Sequence, residues 1–213
     1  MGEARANGAA RRFLFLLASA RAGGNTETLA RRAAERLSDD VEQRWLRLSQ
    51  VPLPEFEDIR HLGDGVYPAP DGYERLLLDA TLDATDLVVA SPLYWYSVSA
   101  STKLYLDHWS GWMRVPGVEF KKRMRGKTMW AVSVLSEEPA QADPLVGTLR
   151  KCADYLGMRW GGVLLGYGNR PDDVLNDAAA LARAETFFDL STAGTGRGRC
   201  RGARLSPSGC PSG

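Results

Sequence analysis

Three short, almost wholly apolar runs constrain the fold of this chain more than any other feature. They occupy 13–18 (FLFLLA), 86–91 (DLVVAS) and 127–135 (KTMWAVSVL), and none of them alternates apolar with polar residues. A strand with a continuous apolar sequence is covered on both faces, which is typical of parallel sheets. Each run therefore predicts a buried strand of such a sheet.

Segments with the helical period separate these runs. Apolar residues recur every three or four positions in five segments: 26–37, 71–82, 99–109, 144–156 and 173–190. Two outer strands are predicted at 41–48 and 160–167. This alternation favours right-handed crossovers and predicts a doubly wound α/β domain with a parallel sheet. Ligands in such domains bind beyond the carboxyl ends of the strands, so the residues that follow each strand are the candidates for a site.

Composition limits the chain to one globular domain. Of its 213 residues, 44% are hydrophobic and 25% are charged, and we expect the folded domain to span 13–190. The segments 1–12 and 191–213 are rich in Gly, Ala, Ser and Arg, and are predicted to be a disordered lead and a disordered tail.

The same composition excludes several functional classes. No apolar run approaches the ~20 residues of a membrane span and no signal peptide is evident, so we expect a cytoplasmic protein without a membrane partner. Three cysteines without a CxxC pair do not predict a disulfide or zinc framework. The net charge is +1 with four arginines in the tail, so the body is mildly acidic and nucleic-acid binding is not expected.

The loop after the first strand, 19–26 (SARAGGNT), has the composition of an anion site. A helix N-terminus leaves backbone N–H groups unpaired and carries partial positive charge. Glycines allow a close approach of the backbone, Ser19 and Thr26 provide hydroxyl groups, and Arg21 can pair with a phosphate. The segment therefore predicts a phosphate site, and the alternative is a polar turn with Asn25 or Thr26 as a helix cap.

Spacing within this loop excludes two common phosphate motifs. There is no GxxxxGK[ST] sequence, so no lysine is placed for a triphosphate, and there is no GxGxxG pyrophosphate fingerprint. A nucleotide with one terminal phosphate fits the loop better than ATP, or than NAD bound by its own fold.

Aromatic residues follow the second apolar run. Pro92, Leu93, Tyr94, Trp95 and Tyr96 come directly after it, where a flat ligand could lie above the phosphate. The alternative is that these aromatic side chains belong to the core or to a dimer contact.

Four motifs together resemble those of the flavodoxin-like NAD(P)H-dependent FMN reductases and quinone reductases. They are SAR at 19–21, GNTET at 24–28, PLYW at 92–95 and KLYLDHW at 103–109, and the resemblance extends over about 13–190. It implies a three-layer α/β/α fold with a five-stranded parallel sheet in the order 2-1-3-4-5. It also implies non-covalent FMN, NADPH or NADH as co-substrate, a ping-pong reaction with a small acceptor such as a quinone or a flavin, and a homodimer or homotetramer.

The resemblance assigns site residues by position. The phosphate group would be held by Ser19, Arg21, Asn25 and Thr26, and the isoalloxazine ring would be lined by Pro92, Leu93, Tyr94, Trp95 and Tyr96. Ser136 and Glu137, after the third apolar run, would form a further contact. The family often has a Gly-rich or Thr-Gly sequence there, whereas this chain has SEEP, and we expect Glu137 and Glu138 to be solvated.

The resemblance assigns the chemistry to the flavin, so no catalytic side chain is expected. His108 is expected on a helix surface or at an interface. The segment 110–126 is expected to be irregular, with its basic end, 121–125, solvated or attracting the 2′-phosphate of NADPH. Trp112, Met113 and Val115 could reach over the flavin of a partner subunit.

Two other functional classes remain possible. One is a flavodoxin-type electron carrier, which Arg21 and the near-neutral charge disfavour, and the other is a non-redox module of the same fold.

Overall fold

The computed structural model describes residues 10–189 and contains one five-stranded, wholly parallel sheet. Its strands are β1 (Arg12–Leu17), β2 (Glu42–Arg47), β3 (Asp86–Ala90), β4 (Thr128–Leu135) and β5 (Arg159–Tyr167). They lie in the order β2-β1-β3-β4-β5, which confirms the predicted fold class and strand order. The predicted tail, 191–213, and most of the predicted lead lie outside the described residues.

Six helices cover the two faces of the sheet. They are α1 (Asn25–Ala34), α2 (Gly72–Asp83), α3 (Ala100–Trp112), α4 (Phe120–Met124), α5 (Asp143–Leu156) and α6 (Ala178–Ala184). Leu29 of α1 and Ala180 of α6 belong to one buried cluster, whereas Leu77 of α2, Tyr105 of α3 and Leu149 of α5 belong to the other. The domain therefore has three layers.

The two buried clusters explain why the inner strands are apolar at every position. In β1, Phe13 and Phe15 pack in the α1 and α6 cluster, while Leu14 and Leu16 pack in the opposite cluster. All eight residues of β4 are buried as well. Because both faces of these strands lose contact with water, the alternation of a one-sided sheet is absent.

The folded domain begins earlier than residue 13. Arg12 is the first residue of β1, and Arg11 forms a salt bridge of 2.6 Å with Asp86, which is 3% exposed. Asp86 also accepts a hydrogen bond of 2.9 Å from Trp130 Nε1. Arg11 and Arg12 are therefore part of the described domain, Arg12 as the first residue of β1 and Arg11 as the partner of the buried Asp86.

Two helical segments differ from the sequence-based prediction. The segment predicted to be irregular contains the end of α3 and also α4, which is anchored by the buried side chains of Phe120 and Met124. The basic run lies on this short helix. The predicted last helix is divided into a 3₁₀ turn, Asp173–Asn176, and α6, because Asp177 caps α6 by accepting a hydrogen bond of 2.9 Å from the Ala180 amide.

Candidate functional site

The N-terminus of α1 follows the loop after β1. Gly24 is the N-cap residue and has no side chain to accept from the first-turn amides. A Ser or Asp at this position would use one of those amides, so a glycine leaves more of them available to a ligand. Gly23 has a φ of 63°, a left-handed conformation that glycine adopts without a steric penalty.

A cavity of about 150 Å³ lies at this terminus. Residues from the carboxyl ends of four strands and the segments that follow them line it: Ser19, Arg21 and Gly24 with Asn25 and Thr26 of α1, Pro92, Leu93 and Tyr94 after β3, Val134 and Leu135 of β4 with Ser136, and Gly168 and Asn169 after β5. Eight of the eleven residues expected from the sequence thus meet around one cavity. Trp95, Tyr96 and Glu137 are not part of its lining.

The loop after β3 forms a tight hairpin. Tyr94 and Ser97 exchange two backbone hydrogen bonds, of 3.1 and 3.0 Å. The two residues between them, Trp95 and Tyr96, have φ angles of 49° and 64°, which are unfavourable for bulky side chains. The turn places Tyr94 at the cavity wall and leaves Trp95 at its outer tip, 93% exposed.

The loop after β4 separates this cavity from a larger one of about 460 Å³. Leu135 and Ser136 line both cavities, whereas Glu137, Glu138 and Tyr167 line only the larger one. Both glutamates are exposed. The carboxylate of Glu137 is therefore beside the predicted cofactor cavity and in contact with solvent.

The loop after β5 was not recognised in the sequence as part of a site. Asn25 Nδ2 donates a hydrogen bond of 2.8 Å to the Arg170 carbonyl, which ties this loop to the start of α1. Asp173 holds the loop closed, since its carboxylate accepts from the amides of Asn169 at 3.0 Å and Arg170 at 2.7 Å. These backbone hydrogen bonds, first that of Arg170 and then that of Asn169, lower the pKa of Asp173. The sequence signal for this loop is the pair Gly168-Asn169, which directly follows the strand predicted at 160–167.

These residues fit a phosphate group. The glycine cap leaves amides of a helix N-terminus without a side-chain acceptor, and the buried Ser19 stands beside them with an exposed arginine, Arg21. Asn25 donates one Nδ2 hydrogen to the Arg170 carbonyl, and the second Nδ2 hydrogen is the donor that it can offer to a phosphate, whereas its Oδ1 only accepts. The aromatic wall at Tyr94 is adjacent, so the same cleft also offers a surface to a flat ring.

His108 is buried, so its predicted position on a surface or interface is wrong. It is 5% exposed, with Nδ1 at 3.0 Å from Glu74 Oε1 and Nε2 at 3.0 Å from the Pro54 carbonyl. Trp112 Nε1 donates to the same Glu74 oxygen at 2.8 Å. This cluster fixes the long loop after β2 to α2 and α3.

Two residues of the segment 110–126 are buried, so the expectation that they reach over a partner's flavin is wrong. Trp112 is 0% exposed and Val115 is 7% exposed. Neither side chain is free to reach over the flavin of a partner, because both are packed inside this domain.

Other kinds of site find no support in the described part of the chain. Residues 10–189 contain no group of three or more metal-ligating side chains. Within the same range, no helix combines the length and the apolar character required to cross a membrane. Cys152 is half-buried, and burial raises the pKa of its thiol, which makes it a poor nucleophile.

Similarity to known proteins agrees with this geometry. The model of a family described as having a flavodoxin-like fold matches residues 11–187. A protein of Bacillus subtilis (strain 168), with the provisional name NAD(P)H-dependent FMN-containing oxidoreductase YwqN, is 34% identical over 175 residues, which cover 81% of this chain and 94% of that protein.

Two solved structures extend the similarity to three dimensions. One is described as a Trp repressor binding protein from Bacillus subtilis, is 26% identical, and superposes with a TM-score of 0.64 over 83% of this chain and 97% of that one. The other is an FMN-dependent NADH-azoreductase from Bacillus anthracis str. Ames Ancestor in complex with FMN. It is 12% identical, with a TM-score of 0.59 over 83% of this chain and 96% of that one, and at this identity the likeness concerns the fold alone.

Proposed function

Because the chain belongs to the family with the flavodoxin-like fold, we propose that it is an FMN-dependent NAD(P)H oxidoreductase that passes electrons to a small acceptor. The observation that carries this proposal is the cavity at the N-terminus of α1, where loops from β1, β3 and β4 converge with an anion site and an aromatic wall. The name of YwqN, which is 34% identical over 175 residues, supports the same function.

In this proposal the first loop holds the phosphate of FMN. Ser19 and Thr26 contribute hydroxyl groups, Asn25 its amide, and Arg21 the positive charge, while the first-turn amides of α1 point at the same anion. Arg21 is exposed and makes no ion pair within residues 10–189, so its guanidinium is available for this role.

The other loops position the ring. Pro92, Leu93, Tyr94 and Ser136 line the cavity and would hold the ring, and the exposed Trp95 and Tyr96 would form the rim that a second substrate meets. Glu137 borders the site from the neighbouring cavity. The chemistry that bound FMN supplies is acceptance of a hydride from NADPH or NADH and release of its electrons to the acceptor.

The protein therefore contributes orientation and exclusion of water and no acid–base pair. Consistent with this, His108 is used in the core, and Cys152 is on α5, outside the cavity lining. If NAD(P)H and the electron acceptor approach the same open side of the site, they must bind in turn, and the reaction then follows a ping-pong order. Quinones and free flavins are suitable acceptors because both are flat and can stack on the aromatic rim.

We further infer that the protein works in the cytoplasm as a homodimer or homotetramer. The exposed aromatic tip at Trp95 supports an assembly in which a second copy covers part of the rim.

The test combines binding and turnover. FMN is added to the apoprotein while flavin fluorescence and the melting temperature are recorded, and NADPH or NADH consumption is then followed with menadione. We expect quenching, a higher melting temperature and steady turnover by the protein alone. Absence of FMN binding would refute the proposal, and binding without turnover until a reductase is added would identify an electron carrier.

A further inference from the structure

A buried carboxylate lies in the helix turn that is proposed to bind an anion. Glu27 belongs to the first turn of α1 and is 6% exposed. A negative charge at this position would oppose a phosphate at the same helix terminus unless it were neutralised. The contacts of Glu27 therefore decide how the loop can work.

Two arginines and one backbone amide saturate this carboxylate. Oε2 accepts from the Gly23 amide at 2.9 Å and from Arg47 Nη2 at 2.5 Å. Oε1 accepts from Nε and Nη2 of Arg31 at 3.0 and 2.9 Å. Burial alone would raise the pKa of Glu27, but these hydrogen bonds outweigh it and lower the pKa below its usual value.

Arg47 connects the carboxylate to a second point of the loop. It lies at the end of β2, its side chain is 13% exposed, and its Nη1 donates a hydrogen bond of 3.3 Å to the Arg21 carbonyl. Glu27 and Arg47 together thus hold the loop at Gly23 and at Arg21. These two attachments lie on either side of Ala22 and fix the segment that leads into Gly24, which lines the cavity.

The arrangement also sets the charge of the terminus. One carboxylate is paired with two guanidinium groups, so the cluster carries a net positive charge although its centre is acidic. Because Glu27 bonds to Gly23, which precedes the helix, it does not occupy an amide of the first turn. The glycine cap and the displaced glutamate together leave those amides for a ligand.

We propose that Glu27 and Arg47 are positioning residues that preorganise the loop for the phosphate of the cofactor and thereby make the site select FMN over riboflavin. This inference rests on the proposed function. Neither residue lines the cavity, and both are hydrogen-bonded to the first loop beside it, so their contribution belongs to the phosphate part of the binding free energy. A merely structural role would affect both flavins equally.

The experiment compares the affinities of apoprotein variants for FMN and for riboflavin by fluorescence titration. In Glu27→Gln we expect FMN affinity to fall by about tenfold or more, while riboflavin affinity changes by less than about twofold. Glu35→Gln is the matched control, since Glu35 is the C-cap residue of the same helix, is exposed and pairs with Arg32 at 3.2 Å. Equal losses for the two flavins, or an unchanged FMN affinity, would overturn the inference.

A second variant, Arg47→Lys, tests the inference if Glu27→Gln does not fold. A second ligand, inorganic phosphate, tests the loop without a flavin. Arg47→Lys retains the charge but cannot bridge Glu27 and the Arg21 carbonyl, and we expect the same selective loss of FMN affinity. Inorganic phosphate should raise the melting temperature of the unmodified apoprotein and have less effect on that of Glu27→Gln. If the unmodified protein bound phosphate, with a smaller shift for Glu27→Gln, but bound no flavin, the proposed function would fail, and the preorganisation of the loop for a phosphate would stand without the choice between flavins. An equal phosphate shift in both proteins would refute the inference.

Discussion

Replacement of Gly168 by alanine tests whether the loop after β5 belongs to the cofactor site. Gly168 lines the cavity, and its amide donates a hydrogen bond of 3.0 Å to the Leu135 carbonyl. A Cβ atom added here would lie 2.9 Å from Asn25 Nδ2, 3.1 Å from Asp173 Cβ and 3.1 Å from the Val174 amide nitrogen. The new methyl group has no room, so the start of α1 and this loop must move apart.

The size of the effect follows from the contacts that are lost. Separation breaks the Asn25 to Arg170 hydrogen bond of 2.8 Å, which is worth about 1 kcal/mol. Overpacking adds about 1–3 kcal/mol to the loss of folding stability. Displacement of Asn25 from the cavity should weaken FMN binding by about 1–2 kcal/mol, which is roughly five- to thirtyfold in the dissociation constant.

The assay is a fluorescence titration of the apoprotein with FMN, together with urea denaturation without flavin. Gly147→Ala is the control, because this glycine lies inside α5 with nothing within 4 Å of the added atom. It should leave FMN affinity unchanged and increase stability by up to about 1 kcal/mol. A Gly168→Ala protein that lost stability but bound FMN normally would refute a role of this loop in the site.

Four further changes test other parts of the molecule. Arg21→Ala should weaken FMN binding by about 1.5–3 kcal/mol in the same titration. If the variant and the wild type bound FMN equally well, Arg21 would not contact the phosphate. Glu137→Gln should leave the flavin midpoint potential nearly unchanged in a redox titration, because the exposed carboxylate is screened by water; a raised potential would place it against the ring. Gly161→Ala should destabilise the fold by about 2–3 kcal/mol in urea, since its Cβ would lie 2.4 Å from the Trp130 ring, and an unchanged midpoint would contradict that packing. Burial lowers the pKa of Lys127 from 10.5 to about 8, so the unfolded chain binds more protons than the folded chain between these two pH values. The free energy of unfolding of the wild type should therefore rise with pH relative to that of Lys127→Met. Parallel pH profiles for the two proteins would refute this assignment.

The fold was predictable because its signals are local. The apolar runs at 13–18 and 86–91 are strands buried on both faces, and the glycine pair lies directly before α1, with Gly24 as its N-cap. Gly157 is a further example, since it ends α5 with a φ of 68°, as a C-cap glycine should. Such features depend on neighbouring residues only, so they can be recognised without a structure.

Contacts between distant segments were not predictable in the same way. His108 has the sequence environment of a surface position, but Glu74 and the Pro54 carbonyl meet it from two other segments. The short helix α4 was also missed, since five residues show too little periodicity and its stability comes from burying Phe120 and Met124.

The sequence by itself thus determined the α/β architecture and the strand ends at which the cavity lies, and it predicts a phosphate site from the composition of the first loop. Only the tertiary structure decided that Glu27 is bonded to Arg47 and to the Gly23 amide, that Gly168 and Asn169 complete the cavity, and that Trp95 lies outside it. The physical reason is that strand burial and helix capping arise from residues adjacent in the chain. The charge and shape of the site arise instead from loops that the parallel sheet brings to one edge.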